Sequence, residues 1–525
     1  MIAGGFHLKS APNPAKRWGP PLRVPAAPLQ ALRNAAFMKT FFARTHSLNS
    51  VQRIIKNSGA MLFSMGASQL ISVIVTAYIS KVLGPEGFGK ISMSFSIIVF
   101  FTFLTNLGLP LYGSREIART PDRISGHINN IFTIRLILIV FAFIVLLPFS
   151  YFFDNAAETQ KLLLLYGLLI VPSGLMMDWV FQGLERMSYI ALARLVSAAV
   201  YMILSIVFLK SADQILLVPC FQVAGELVAA LLLILIFSRE RSIPRLDLNL
   251  DRCKDIISHS WPIGVSMILI QVVHYLDKVM LGLMRSTVEV GYYSASYKII
   301  MMLLMIGAIY HDVMFPVFSA SYKRSIDSLQ KLYDITVKLM VTVSLPLAVG
   351  GTILAEPIIT WIYGPEYLHS VFIFKLLIWN VALGYLTMIY SKGLIAIDKQ
   401  RQRLRIDVVQ ASIIIVFNLI LIPKYGMVGA ASVTVLAHAV VLALGVREME
   451  KVVQARYKVY IVKAAAASLP MAAFLYWGLN IIGMGLFALV LGGGGIYLIS
   501  LFAVKGTDIE EIRMIRALMT GSGDQ

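Results

Sequence analysis

The sequence predicts an all-α, polytopic membrane protein of about fourteen transmembrane helices in two pseudo-symmetric lobes. Three observations predict it: more apolar surface than a soluble chain can hide, apolar runs of bilayer length, and a weak internal repeat. Of 525 residues, 58% are hydrophobic and 14% charged, whereas a soluble domain carries about 25% charged residues. Lipid must cover the excess. Runs such as Leu162 to Phe181, Ile190 to Leu209, Ile215 to Phe237 and Ile481 to Val504 approach the roughly 20 residues that an α-helix needs to cross hydrocarbon. Barrel strands would alternate polar and apolar side chains, and these runs do not, so the spanning backbone must satisfy its own hydrogen bonds as helix.

In chain order, residues 1–54 come first as a basic tail. Its first 50 residues hold Lys9, Lys16, Arg17, Arg23, Arg33, Lys39 and Arg44 and no acid. The tail reads as a disordered segment or as an extension upstream of a start near Met38. An N-lobe follows over 55–245, with spans expected at 58–82, 91–113, 129–152, 161–183, 188–210 and 214–237. A C-lobe over 246–450 holds spans at 257–284, 291–318, 332–361, 368–391, 406–423 and 428–446. The last two spans, 459–478 and 481–504, fill 451–505, and 506–525 form a cytoplasmic tail. The ninth span is long, and Pro346 with Gly350 and Gly351 supplies a place for it to break.

Orientation follows from the basic residues in alternate loops. One set of loops holds 21 Lys and Arg, among them Arg115, Arg186, Arg252, Arg324, Arg405 and Arg447. The other holds six: Lys81, Lys90, Lys161, Lys210, Arg285 and Lys424. Positive residues stay inside, which places both termini in the cytoplasm. The net charge of +18 is thus explained by topology, and nucleic acid is not expected as a partner. Cys220 and Cys253 fall in different environments and predict no disulfide.

Sliding the chain by 202 positions aligns Gln69 with Gln271, Gly89 with Gly291, Ser92 and Ser94 with Ser294 and Ser296, and Ile98 with Ile300, while Phe95 meets Tyr297. Six spans separate the copies, so both halves share one orientation and are related by an axis along the membrane normal. Bundles of this kind place their substrate path between the halves.

Charged residues within spans are costly and normally face a cavity or each other. Span seven carries Gln271, His274, Asp277 and Lys278 broadly along one helical face. A plainer reading makes Asp277 and Lys278 a neighbour pair reaching the interface. Span eight holds Lys298 and Asp312, about 21 Å apart along the axis. Arg194 and Glu226 lie deep in spans five and six and read either as a buried pair or as functional groups. Lys375 lies in span ten with Asn380 beyond it. If the spans converge, Arg194, Lys278, Lys298 and Lys375 form a cationic chamber, with Gln69, Gln271, His274 and Asn380 as its polar lining. No metal site or cofactor is expected. Coupling to H+ or Na+ through Asp277, Asp312 or Glu226 is left open. GPEGFG at 84–89 follows a span and reads as a turn, not a phosphate cradle. GGGG at 492–495 reads as a close helix contact.

The stretches GLPLYGSREIA at 108–118, YLDKVMLG with EVGYYSASYKI within 275–299, WIYGPEY at 361–367 and NLILIPKYGMVGAA at 418–431 together resemble the Wzx-type polysaccharide and O-antigen flippases. These belong to the superfamily that also holds MurJ and the MATE exporters. The resemblance covers roughly 55–505. It implies two lobes around a central cavity. It also implies transport of undecaprenyl-diphosphate-linked repeat units to the periplasmic leaflet by alternating access, with cavity cations against the diphosphate. On that resemblance Arg194, Lys278, Lys298 and Lys375 are the diphosphate candidates. The implied partners are the lipid-linked oligosaccharide, membrane lipids and glycan polymerase or assembly proteins. Three alternatives stand beside it: a MurJ-like lipid II flippase, a MATE-like small-molecule exporter, and a membrane glycan polymerase or ligase. Short outer loops argue against the enzyme.

Overall fold

The computed structural model describes residues 50–120, 124–153, 157–240, 245–247 and 249–506. The tails expected over 1–54 and 506–525 therefore lie outside the described residues, except for 50–54, which are helical, and Gly506. The described residues from 57 onward form one compact unit.

The regular elements among the described residues are helices. The N-terminal half contains α1 (Ser50–Asn106), α2 (Leu109–Arg119), α3 (Ile124–Ser150), α4 (Ala157–Gly167), α5 (Ile170–Leu175), α6 (Asp178–Gly183), α7 (Met187–Phe208) and α8 (Leu217–Glu240). The remainder contains α9 (Leu250–Met284), α10 (Thr287–Arg324), α11 (Ile326–Ile353), α12 (Ala355–Tyr363), α13 (Ser370–Leu377), α14 (Trp379–Ala396), α15 (Gln400–Met449), α16 (Tyr457–Trp477) and α17 (Leu486–Ala503).

Twelve helical segments among the described residues are long and apolar enough to cross a membrane. Two of them are double length. A straight helix of the 57 residues of α1 would run about 85 Å, far beyond any bilayer. Neither helix is straight. Gly84 interrupts α1 at φ 64° and ψ 178°, and Gly426 interrupts α15 at φ 57° and ψ −135°, conformations that glycine adopts without a Cβ clash. Side chains prove the reversal in α15. Asn418 and Thr434, eight residues to either side of Gly426, both donate to the Asp277 carboxylate, and Gln410 meets His438 across the hairpin. In α1 the first arm runs parallel to α7, since Ser64 bonds the Ala191 carbonyl and Tyr78 the Leu209 carbonyl. The second arm runs parallel to α4–α6, through Lys90 with Glu158 and Asn106 with Ser173. Three residues join α6 to α7, so those two elements run in opposite directions. Each long helix thus supplies two crossings, which accounts for about fourteen. GPEGFG is the turn between the first two.

Two spans differ from expectation. The fourth is not continuous but broken into α4, α5 and α6, with Met176 extended at φ −61° and ψ 127°. A break inside hydrocarbon frees carbonyls that need donors, and Arg135 of α3 supplies them. Its Nη1 donates to Met176 O at 2.7 Å and its Nη2 to Ser173 O at 2.5 Å. The ninth span breaks at Leu354, not at Pro346 or the glycine pair. α11 runs through Pro346 because the carbonyl that proline leaves unpaired one turn back, Thr342 O, accepts from Tyr497 Oη at 2.6 Å. Gly351 serves close packing instead, since a Cβ there would lie 2.7 Å from Ile378. In GGGG, Gly492 and Gly493 pack against Phe474 and Leu475, whereas Gly494 and Gly495 meet nothing within 4 Å. Only half of that run fits the expected helix contact.

The repeat is visible as geometry. A Cβ on Gly89 would lie 1.7 Å from the Thr287 carbonyl, and a Cβ on Gly291 would lie 2.0 Å from the Pro85 carbonyl. Positions 85 and 287, like 89 and 291, are one repeat apart. The contact is therefore reciprocal, as a twofold axis between the halves requires. One core runs through both halves, and a second cluster sits in the N-terminal half. α9 belongs to both sides: Cys253 and Ile256 pack into the N-terminal cluster, while Val273 packs against α15.

Candidate functional site

Of three adjoining chambers of about 410, 570 and 590 Å³, the smallest lies between the halves, whereas the two larger are lined by the N-terminal half apart from Met305 in one and Met267 in the other. Gln222 lines all of them, and Arg194 and Glu226 line both of the larger two, so they form one cavity. Phe88 and Ile91 place the small chamber toward the Gly84 end of the bundle. Met65 and Ile190 place one of the larger ones toward the opposite end, and Asn106 and Pro110 place the other there.

Helical spacing builds the small chamber. On four helical arms, polar or aromatic residues recur at steps of three and four: Gln69, Ser72 and Thr76; Ser92, Phe95 and Ser96; Gln271, His274, Tyr275 and Lys278; Ser294, Tyr297 and Lys298. That spacing gathers them on one face of each arm, while the other faces are left to lipid and packing. The two halves contribute equivalent positions with different chemistry. Thr76, Ser96 and Ser72 of the first half stand one repeat from Lys278, Lys298 and His274 of the second. Lys298 Nζ crosses between halves to donate to Ser72 Oγ at 2.7 Å. Lys278 Nζ lies 5.0 and 4.7 Å from the ring centroids of Tyr275 and Tyr297, a cation–π setting that holds the amine without neutralising it. His274 Nδ1 is 3.0 Å from Tyr297 Oη. Among the described residues, no carboxylate lines this chamber.

The larger chambers are mixed. Arg194, Asp178, Glu226 and Gln222 line them, and Arg135 lines one. Arg194 and Glu226 form no direct ion pair. Glu226 accepts from Ser197 Oγ at 3.2 Å, and Arg194 stands exposed in the cavity. Arg135 is committed to the helix break and to Asn106 Oδ1 at 2.8 Å.

The structure brings together Arg194, Lys278 and Lys298, along with Gln69, Gln271, His274 and Glu226. Four candidates fall elsewhere. Lys375 is exposed on α13 and lines none of these chambers; the eight-residue helix carrying it turns Ile373, Phe374 and Leu377 inward, which leaves position 375 facing outward. Asp277 is buried at 2% exposure, one helical step from Lys278, and so points away from the cavity toward α15. There it accepts from Tyr293 Oη at 2.7 Å, Asn418 Nδ2 at 2.6 Å and Thr434 Oγ1 at 2.8 Å. It is a fastener between helices and not a neighbour pair with Lys278. Asp312 pairs with Lys392 at 2.6 Å on an exposed surface. Asn380 is buried in α14, outside the cavity lining.

Sequence reasoning missed Arg135, Asp178 and Gln222. Arg135 had a signal, a lone arginine inside a 27-residue apolar helix. Asp178 had one only in retrospect, as the first residue of α6 after a break that hydropathy does not reveal. Chemically, the cavity can hold an anion against two lysines and hydrogen-bond an extended polar group beside it. Among the described residues, no three His, Cys, Asp or Glu side chains group as a metal site.

The chain is similar to a protein of Shigella dysenteriae described as "Putative O-antigen transporter", 22% identical over 384 residues that cover 71% of this chain and 94% of that protein. Its fold matches the lipid II flippase MurJ in an inward closed conformation, with a TM-score of 0.68 at 16% identity over 85% of this chain and 98% of that one. It also matches an inward-facing multidrug resistance MATE family transporter, with a TM-score of 0.58 at 16% identity over 73% and 95% of the two chains. The likeness to the O-antigen transporter bears out the resemblance to Wzx-type flippases, and the likenesses to MurJ and MATE bear out the fold that the resemblance implied. The model of the polysaccharide biosynthesis protein family matches residues 54–322, slightly more than half of the chain, and the chain belongs to that family.

Proposed function

We propose that this protein is a flippase that moves an undecaprenyl-diphosphate-linked oligosaccharide repeat unit from the cytoplasmic to the periplasmic leaflet by alternating access. The observation that carries the reading is the small chamber, where Lys278 and Lys298 stand together without a carboxylate between two pseudo-symmetric halves. A sugar diphosphate cannot enter hydrocarbon, because an unpaired buried charge is prohibitive. A polar groove that offers fixed cations removes that barrier while the lipid tail stays in the bilayer. With an inside-negative potential, each negative charge moved outward releases about 2.3 kcal/mol per 100 mV. That bias drives flipping without ATP and without a catalytic step, so we read the protein as a transporter and not an enzyme.

The 21-to-6 partition of basic residues between alternate loops supports an inner-membrane location with both termini cytoplasmic. Relatives named as transporters support the same reading. A MATE-like exporter of organic cations shares the fold but would want acids where this chamber has two lysines. A lipid II flippase would differ only in cargo. A glycan polymerase acting on the delivered repeat unit is the partner class this reading implies.

The test is export of surface glycan by Lys278→Ala combined with Lys298→Ala. Export is expected to be lost while the protein remains inserted at normal abundance. Undiminished export would overturn the diphosphate assignment. Deleting the gene should leave the lipid-linked repeat unit on the cytoplasmic leaflet; unpolymerised units already outside would point to a polymerase.

A further inference from the structure

Outside the cavity, a pocket of about 270 Å³ opens between the two arms of α15, at the end of the hairpin away from Gly426. It shares no lining residue with the three chambers. In the first arm, Gln402 and Arg405 lie nearer the helix end, and Ile406 and Val409 lie up to one turn deeper. The second arm repeats that order, with Leu444 deeper and Arg447, Glu448 and Lys451 at the end. Polar side chains thus meet at the membrane surface and apolar ones below them. Leu404 and Val408 are exposed on the same arm, a flank left to lipid. Counted in full, three cations line the pocket against one carboxylate. Lys451 pairs with Glu448 at 2.5 Å, and Asp407, which does not line the pocket, pairs with Arg403 at 2.7 Å. Two positive charges remain, on Arg405 and Arg447, and among the described residues neither arginine forms an ion pair.

We propose that this pocket binds one anionic phospholipid, with its phosphate against Arg405 and Arg447 and the start of its acyl chains along Ile406, Val409 and Leu444. A lipid has the same order as the pocket, charge at the surface and hydrocarbon beneath. Basic pockets between transmembrane helices take acidic headgroups, and each guanidinium can present two parallel N–H donors to a phosphate. Gln402 adds a neutral donor beside them. A free phosphate would meet the same arginines but leave the apolar walls bare, and a zwitterionic lipid would bring a cation of its own to a site that already holds two in excess. The site lies on the face that the basic loops assign to the cytoplasm, and it is independent of what the cavity carries.

The experiment titrates the full-length protein in uncharged detergent with phosphatidylglycerol or phosphatidylcholine and follows binding by native mass spectrometry. Phosphatidylglycerol is expected to bind the tighter of the two. Arg405→Gln with Arg447→Gln should lower its affinity at least about tenfold and leave phosphatidylcholine unchanged. Both arginines are exposed, so the fold should tolerate the change, and Arg405→Lys with Arg447→Lys should keep most of the binding. Arg401→Gln with Lys458→Gln removes the same charge outside the pocket and should alter affinity by less than about twofold. Lys278→Ala with Lys298→Ala should leave it unaltered, since the cavity is separate. Millimolar inorganic phosphate should not displace the lipid. Equal losses in the pocket and control pairs, or no loss in the pocket pair, would overturn the proposal. So would loss in the cavity variant, which would put the lipid in the cavity, or displacement by phosphate, which would make a free anion the ligand. None of these results bears on the flippase reading, whose own test is glycan export.

Discussion

Single side chains repair what the helices break, and two of them give testable energies. Proline at 346 deprives Thr342 O of its helical partner, and Tyr497 of α17 donates to it instead. Tyr497→Phe should therefore cost roughly 0.6–2 kcal/mol, the range of interhelical hydrogen bonds in membranes. In Pro346→Ala the helix recovers its own donor, so the same change should cost less. Thermal unfolding of the four proteins in a double-mutant cycle measures the difference, and equal costs in both backgrounds would show that the bond does not compensate the proline. Arg135 performs the larger repair. Arg135→Gln cannot reach both Ser173 O and Met176 O, and with carbonyls left bare in a dry interior the loss should be about 2–4 kcal/mol, read as a lowered unfolding temperature. Neither pairing was legible in the sequence, because hydropathy shows an apolar run at 161–183 whether or not the chain kinks within it. What the residues did reveal was that Lys278 and Lys298 sit within spans, where a charge is costly. Lys375 satisfied the same criterion and failed, since depth in a span does not say which way a side chain points.

At the level of helices, two hairpins turn on glycines, Gly84 and Gly426, and one acid ties the second of them. Asp277 of α9 receives donors from both arms of α15 and from Tyr293 of α10. Asp277→Ala removes the acceptor that three buried donors share; Thr434 can turn to Ala430 O and Tyr293 to Thr434 Oγ1, but Asn418 Nδ2 loses its partner, and the protein should be destabilised by roughly 1–3 kcal/mol. Asp277→Asn keeps one carbonyl acceptor and should cost less. Unfolding of purified variants checks the order, and an alanine variant as stable as the asparagine one would deny Asp277 its fastening role. The spans themselves were readable because each needs about 20 apolar residues, and the turns at 84–89 and 423–428 were readable because charge and glycine interrupt the runs. Asp277 was readable as costly but not as structural. Its partners Asn418 and Thr434 lie 141 and 157 residues away, a separation that no local spacing reports.

Across the whole molecule, the repeat predicts how the halves move. Gly89 and Gly291 let backbones of opposite halves touch at the Gly84 end, with room for no Cβ on either. The neighbours they would strike are carbonyls of Thr287 and Pro85, backbone atoms that cannot swing aside. A methyl-bearing residue there opposes only the arrangement in which that end is shut, since each glycine sits on a helical arm that tolerates other residues once the halves separate. Gly89→Val should therefore shift the population toward opening at that end, and Gly291→Val should do the same because the contact is reciprocal. The readout is the labelling rate of cysteines placed at Ser92 or Ser294, which line the chamber just behind the contact, by a membrane-impermeant maleimide applied from the side of the Gly84 turn. Both valine variants should label several-fold faster than the parent, and both should transport more slowly, because alternating access needs that end to close once per cycle. Either variant labelling at the parental rate with full transport would mean that the two halves do not part at this contact, and that the cavity opens elsewhere.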